Sequence, residues 1–129
     1  MDRYDDGSPF ARRASYMRAV RSGAFVAVSA TAATDASGLA LHPGDAYAQA
    51  REAIERALSA ARELGASREH VVRTRVYLVP ECPWRDAMRA HGELFAGAEP
   101  ANTTVIVAGF IPPGILVEVE LDAVVPSPE

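Results

Sequence analysis

Val117-Glu118-Val119-Glu120-Leu121-Asp122, close to the C-terminus, alternates strictly between apolar and acidic side chains. Successive side chains of a β-strand point to opposite faces of the sheet, so this stretch predicts a strand with one apolar and one acidic face. The apolar face has to pack against other elements, whereas the acidic face opens to water or to another subunit. The stretch therefore predicts a sheet that is covered by helices on one side only.

Two amphipathic helices are predicted to cover that apolar face. The first runs from about Asp45, an N-cap residue, to Leu64, and Gly65 is placed to end it in a left-handed conformation. Its alanines recur at three- and four-residue spacing, which allows close approach to a sheet. The second helix begins at Pro83 and runs to about Phe95.

The remaining patterns predict four further strands, which makes one α+β domain. The predicted strands are 15–21, 24–29, 70–79, 102–108 and the C-terminal 115–124. With the helices they give the order β-β-α-β-α-β-β, a single mixed sheet with two helices on one face. A chain of 129 residues forms one domain, and we expect residues 1–14 to be a less ordered N-terminal segment.

The face of the sheet opposite the helices is predicted to combine carboxylates with apolar side chains. Tyr16, Val20, Tyr77 and Ile106 are predicted to lie on this face together with the acidic residues of the last strand. Such a face is too apolar for simple exposure to water. It predicts an oligomer with clefts between its subunits.

Composition excludes several classes of function. The net charge is −4, the basic residues are scattered and none of them is lysine, so neither nucleic-acid binding nor a lysine Schiff base is expected. No signal peptide and no membrane-spanning run is recognisable, and a lone cysteine, Cys82, forms no internal disulfide, so we expect a cytoplasmic protein without membrane contact. The three histidines lack ligand spacing, so no metal and no cofactor is expected.

Four segments together resemble the Rid family (YjgF-type reactive-intermediate deaminases, endoribonuclease L-PSP-like). The resemblance extends from about Ser15 to Val124, and its segments are Ser15-Tyr16-Met17-Arg18-Ala19-Val20, Phe25-Val26-Ala27-Val28-Ser29, Val71-Val72-Arg73-Thr74-Arg75-Val76-Tyr77 and Val117-Glu118-Val119-Glu120. The family implies a chorismate-mutase-like fold, a homotrimer, and a small-molecule pocket at each subunit interface.

The resemblance also implies catalytic residues. Deaminating members hydrolyse an imine or enamine acid to the keto acid and ammonia. Tyr16 matches the pocket tyrosine, and Glu118 matches the glutamate that positions water. A carboxylate can orient water toward an imine carbon, and a phenol can donate to the departing amine.

Three positions depart from the family pattern, and all three belong to the implied substrate-binding set. Asn102 replaces the arginine that binds the substrate carboxylate, Thr104 replaces a residue that is often cysteine, and Met88 falls where many members have asparagine. Loss of a bidentate arginine weakens binding of a carboxylate by about 2–5 kcal/mol. The sequence therefore predicts a substrate other than the usual 2-imino acids.

Arg18 is the arginine best placed to replace the missing cation, because it follows Tyr16 by two positions on a predicted strand. The alternative, that Arg18, Arg73 and Arg75 are surface or interface charges paired with the acidic residues, agrees better with how most arginines behave. Three functions stay open: an imine or enamine hydrolase, a non-catalytic metabolite-binding trimer, and a chorismate-type enzyme. Tyr16 and Glu118 favour the first.

Overall fold

The computed structural model describes residues 1–127 and contains one mixed sheet of six strands. In chain order the strands are β1 (Asp2–Tyr4), β2 (Ala19–Ser22), β3 (Phe25–Thr31), β4 (Val71–Leu78), β5 (Ala101–Ile106) and β6 (Val117–Val124). Across the sheet the order is β1-β2-β3-β6-β4-β5, with β4 and β5 parallel and every other pair antiparallel. The helices are α1 (Pro9–Ala14), α2 (Ala46–Glu63) and α3 (Trp84–Leu94), with a short 3₁₀ turn at Arg68–His70.

The predicted α+β architecture is confirmed, with α2 and α3 on one face of the sheet. Val117, Val119, Leu121 and Ala123 of β6 lie fully buried on this face, and the acidic residues of the strand alternate onto the other face. Asp45 caps α2 by accepting a hydrogen bond from the Ala48 amide (3.0 Å), and Gly65 follows the helix with a φ of +91°. The alternation of side chains along β6 and the residues that begin and end α2 therefore identify which side chains form the core.

The N-terminal 14 residues form two elements that the sequence prediction did not include. Strand β1 extends the sheet beside β2, and helix α1 begins at Ser8, whose hydroxyl accepts a hydrogen bond from the Ala11 amide (3.3 Å). Ser15 ends α1 in the left-handed region (φ 63°). The chain therefore reaches β2 only at Ala19, so the prediction of a strand from residue 15 was wrong for residues 15–18.

Two other expectations were wrong about which face a side chain occupies. Ile106 pairs with Leu78, a buried residue, so Ile106 lies on the helix side of the sheet, and its neighbour Val105 lies opposite Tyr77 on the other side. Alternation along the strand also predicts Val72 on the same face as Thr74, Val76 and Leu78, but Val72 is exposed whereas those three are buried, because the register between β4 and β6 shifts between Val71 and Arg73. Such bulges are not visible in the pattern of a single strand.

A buried glutamine fixes the loop before β6. Gln49 on α2 is fully buried, where its Oε1 accepts from the Leu116 amide (2.8 Å) and its Nε2 donates to the Gly114 carbonyl (3.0 Å). Both polar ends of the side chain are thereby satisfied inside the core. The loop that contains Phe110 and Ile111 is held against α2 as a result.

No helix in the described part of the chain is long and apolar enough to cross a membrane. Among residues 1–127, no three side chains of the metal-binding types come together as ligands of one ion would.

Candidate functional site

A cleft of about 990 Å³ opens at the end of β3, where Arg56, Ser59 and Ala60 of α2 also line it. Its walls are the N-terminal segment with α1, the end of β3 and the loop that carries Phe110. Tyr16, Arg18 and Glu118 all line it. Three of the six residues predicted for the site are therefore together in one chain, although Tyr16 and Arg18 reach the cleft from the link between α1 and β2 and not from a strand face.

Glu118 is the carboxylate of β6 that belongs to this cleft. It lies opposite Tyr77 on the open face and is half-buried. Burial raises the pKa of Glu118 above its ordinary value, and the nearby charge of Arg18 offsets part of that rise. A carboxyl group in such surroundings can exchange protons with a bound molecule closer to neutral pH than an exposed one.

The other two carboxylates of β6, Glu120 and Asp122, are paired with neighbouring side chains. Arg75 lies 3.1 Å from Asp122 and 4.0 Å from Glu120, and the Tyr77 hydroxyl donates a short hydrogen bond to Glu120. That bond is the main reason why the pKa of Tyr77 is raised. Of the acidic residues of β6, Glu118 is the one left to face the cleft.

Arg18 is held by the protein on several sides. Its side chain is only 11% exposed, and its Nε lies 3.0 Å from Asp6. Its Nη1 donates to the Ala30 carbonyl (2.7 Å) and the Thr31 hydroxyl (3.3 Å). Arg18 therefore ties the N-terminal segment to β3, and its charge acts on Glu118 from a fixed position.

Asn102, Thr104 and Met88 form a second group at the edge strand β5. The Asn102 amide nitrogen donates to the Thr74 hydroxyl (3.0 Å), and its oxygen accepts from the Thr104 hydroxyl (2.8 Å). Thr104 also contacts the Met88 sulfur at 3.6 Å, and the Thr74 hydroxyl lies 2.7 Å from the Nε2 of buried His91. A chain of polar contacts thus runs from the core to the edge of the sheet.

A consistent set of hydrogen-bond directions results when Nε2 of His91 is the unprotonated ring nitrogen. Desolvation lowers the pKa of His91, which favours the neutral imidazole. A neutral Nε2 can accept the Thr74 proton, so the Thr74 oxygen is left to accept from Asn102. One amide N–H of Asn102 remains, and it has no partner within residues 1–127. Asn102 can therefore offer a ligand one neutral donor.

The two groups lie on opposite faces of the sheet. Asn102 is in register with Thr74, which is in register with Leu121 on the helix-covered face. Glu118 is in register with Tyr77 and points to the bare face. The structure therefore does not bring Asn102, Thr104 and Met88 together with Glu118 and Tyr16 within one chain.

Sequence reasoning missed four charged residues of the cleft: Asp6, Arg13, Asp35 and Arg56. Two of them lie in the segment that was expected to be less ordered. Ser8 followed by Pro9 is a typical helix start, with a capping hydroxyl and a proline in the first turn. That pair was the available signal for α1 and its arginines.

The chain matches the endoribonuclease L-PSP family over residues 7–125. An uncharacterized protein of Streptomyces coelicolor is 38% identical over 121 residues, which are 94% of this chain and 90% of that protein. The crystal structure of Rv2704 from Mycobacterium tuberculosis, a member of the highly conserved YjgF/YER057c/UK114 family, is 35% identical with a TM-score of 0.86, over 96% of this chain and 98% of that one.

The YjgF gene product of E. coli has the same fold, with a TM-score of 0.80 at 21% identity, over 96% of this chain and 98% of that one. The family match covers most of the chain, and the mycobacterial structure is similar over nearly its whole length. Both results agree with the fold described above. This chain is a member of the Rid/YjgF-type endoribonuclease L-PSP family.

Proposed function

We propose that the protein hydrolyses the C=N bond of a small imine or enamine, with Glu118 and Tyr16 as its catalytic residues. The observation that carries the proposal is Glu118, the half-buried carboxyl with a raised pKa that faces the cleft beside the fixed charge of Arg18. A surface carboxylate that served only solubility would not need to be placed there.

The chemistry needs one water molecule and no cofactor. Glu118 accepts a proton from water while the water oxygen forms a bond to the imine carbon, which gives a carbinolamine. Proton transfer to nitrogen, from Glu118 with Tyr16 as a hydrogen-bond donor, then allows the C–N bond to break. As the C–N bond breaks, its electron pair leaves with ammonia, and the hydroxyl group gives its proton to Glu118 as it becomes the carbonyl. Ammonia takes up that proton, so a protonated imine and water are converted to a carbonyl compound and an ammonium ion.

We further propose that the complete site forms between two subunits of a homotrimer. Glu118 and Tyr16 of one subunit would face Asn102, Thr104 and Met88 of its neighbour, because one chain keeps the two groups on opposite faces. The bare sheet face and the edge strand β5, exposed along its whole length, support such packing.

The substrate is proposed to differ from a simple 2-imino acid at the point where Asn102 meets it. Asn102 has one neutral N–H to offer, whereas an arginine would pair with a carboxylate through two charged hydrogen bonds. A carbonyl or hydroxyl oxygen fits that single donor better than a carboxylate does.

The charge distribution favours a small molecule over RNA and over chorismate. The net charge is −4, while RNA-binding surfaces are usually strongly basic. A chorismate-type enzyme needs several arginines that are free to bind two carboxylates. Arg18 and Arg56, which line the cleft, are instead bound to backbone carbonyls.

The Asn102→Arg variant tests the proposal. Imines of several amino acids are generated in situ by an amino-acid oxidase, and the imine that remains is trapped with semicarbazide. We expect negligible hydrolysis by the wild type and a gain of at least about tenfold in the variant, since a charged hydrogen bond contributes about 1.5–3 kcal/mol. The control is Thr103→Arg, one residue along β5 on the other face. Robust hydrolysis of 2-imino acids by the wild type would refute the role assigned to Asn102.

A further inference from the structure

Arg13 is a positively charged residue of the cleft that has no role in the proposed reaction. It lies in the last turn of α1 and lines the cleft together with Tyr16 and Glu118. Within residues 1–127 its guanidinium forms no hydrogen bond or ion pair with another side chain or with the backbone. The cleft therefore contains an arginine that is available to a ligand.

The other two arginines of the cleft are bound within the protein. Arg18 donates to Asp6, Ala30 and Thr31. Arg56 donates to the Thr34 carbonyl (2.6 Å) and lies 3.2 Å from Glu52. Both arginines fix the walls of the cleft, and Arg13 differs from them in having no such task.

Among residues 1–127, none of the three acidic residues that line the cleft, Asp6, Asp35 and Glu118, forms an ion pair with Arg13. Asp6 pairs with Arg18. Asp35 accepts hydrogen bonds from the Ser37 amide, the Ser37 hydroxyl and the Leu39 amide, so its carboxylate stabilises the turn at residues 35–39. A ligand anion beside Arg13 would thus meet an arginine whose positive charge is uncompensated.

The cleft that Arg13 lines also contains large apolar side chains. Phe10, which is half exposed, Tyr16, Phe110 and Ile111 line the same cleft. Aromatic and aliphatic side chains bind the apolar body of a ligand, while one charged group fixes its orientation. Such a lining suits a ligand that has an apolar or aromatic body and one anionic group.

We propose that Arg13 determines substrate specificity by binding the carboxylate of an apolar or aromatic carboxylate ligand in the cleft. The proposal rests on the proposed function in that it takes the cleft as the substrate site. The guanidinium of Arg13 binds the carboxylate from α1, and so supplies the positive charge that Asn102 does not supply from β5.

Arg12 provides a matched control. It is the preceding residue of α1, and both arginines interact equally well with the carbonyl end of the helix dipole. Arg12 lies 3.8 Å from Asp5, however, and neither residue lines the cleft. A contribution to helix stability would be shared by both arginines, whereas a contribution to ligand binding belongs to Arg13 alone.

The test compares binding of phenylacetate with binding of its neutral isostere phenylacetamide, followed by NMR titration of the wild type, Arg13→Gln and Arg12→Gln. We expect the wild type and Arg12→Gln to bind phenylacetate about tenfold more tightly than phenylacetamide, and Arg13→Gln to bind both with equal, weaker affinity. Amide spectra of the free variants establish that each is folded.

The proposal is overturned if Arg13→Gln keeps the preference for phenylacetate, if Arg12→Gln loses it to the same extent, or if the wild type shows no preference. None of these titrations requires catalysis. If imine hydrolysis is absent while Arg13→Gln alone loses the preference, the proposed function fails and the role of Arg13 in binding stands.

Discussion

The cleft and the edge of the sheet contain the two halves of the predicted site, and they are built in different ways. In the cleft, Glu118 is held among charged groups, with a fixed arginine beside it and paired carboxylates further along its strand. At the edge, Asn102 belongs to a chain of neutral hydrogen bonds that leads to a buried histidine. The first half is suited to moving protons and the second to positioning a neutral group.

This difference shows that the edge of the sheet accommodates Asn102 without a charged partner. A charged side chain at the edge would need a ligand or a partner to compensate it, whereas the amide is satisfied by Thr74 and Thr104. The cleft contains the carboxyl group of Glu118 and arginines of its own. We therefore propose that substrate specificity differs at the edge, whereas the proton-transferring group lies in the cleft.

Glu118→Gln is expected to have the largest effect, because it removes the acid–base group and leaves the edge untouched. Hydrolysis of the substrate should fall by about 10²–10⁴-fold. Glu120→Gln is the matched control, since Glu120 lies two residues away on the same face but outside the cleft. Equal activity of wild type and Glu118→Gln would refute the assignment of Glu118.

The pH dependence of hydrolysis by the wild type and by Glu118→Gln provides a further test of this prediction. Because burial raises the pKa of Glu118, the acid limb of the rate profile should lie above the range of an ordinary glutamate and should vanish in Glu118→Gln. A raised pKa also means that the carboxyl stabilises the fold below its ordinary pKa, and that this stability is lost as the pH rises through the raised value. Unfolding of the variant at neutral pH should therefore require more urea than unfolding of the wild type.

Thr74→Val is expected to have a smaller effect, a loss of stability that is confined to the group of residues at the edge strand β5. The hydroxyl that satisfies buried His91 and Asn102 is lost, so the free energy of unfolding should fall by about 1–3 kcal/mol. Thr103→Val, an exposed change on the neighbouring edge strand β5, should alter the free energy of unfolding by less than about 0.5 kcal/mol. Urea denaturation measures both. Equal effects of the two variants would contradict the network, and phenylacetate binding in the cleft should stay unchanged.

Local patterns in the sequence were sufficient to predict most of the architecture and part of the candidate site. The alternation from Val117 to Asp122 predicts the bare and the covered face, and Asp45 and Gly65 mark the ends of α2. The position of Asn102 relative to Glu118 could not be predicted in the same way. It depends on the registers of β5 with β4 and of β4 with β6, which bring distant parts of the chain together.

The N-terminal segment was harder to predict because its stability is not evident from its own composition. Strand β1 is held by β2, and Asp6 is held by Arg18, twelve residues later. These contacts exist only when the sheet has formed. The arginine of α1 that faces the cleft was missed for the same reason.

The central claim, that cleft and edge meet only between two chains, is tested most directly by cross-linking a Tyr16→Cys/Asn102→Cys variant with a short bismaleimide. Cys82 is buried and burial raises its pKa, so it should react little, and each single variant serves as a control. Denaturing gels should show covalently joined chains up to a trimer for the double variant and almost none for the single variants. Cross-links confined within single chains, or no joined chains at all, would contradict the account.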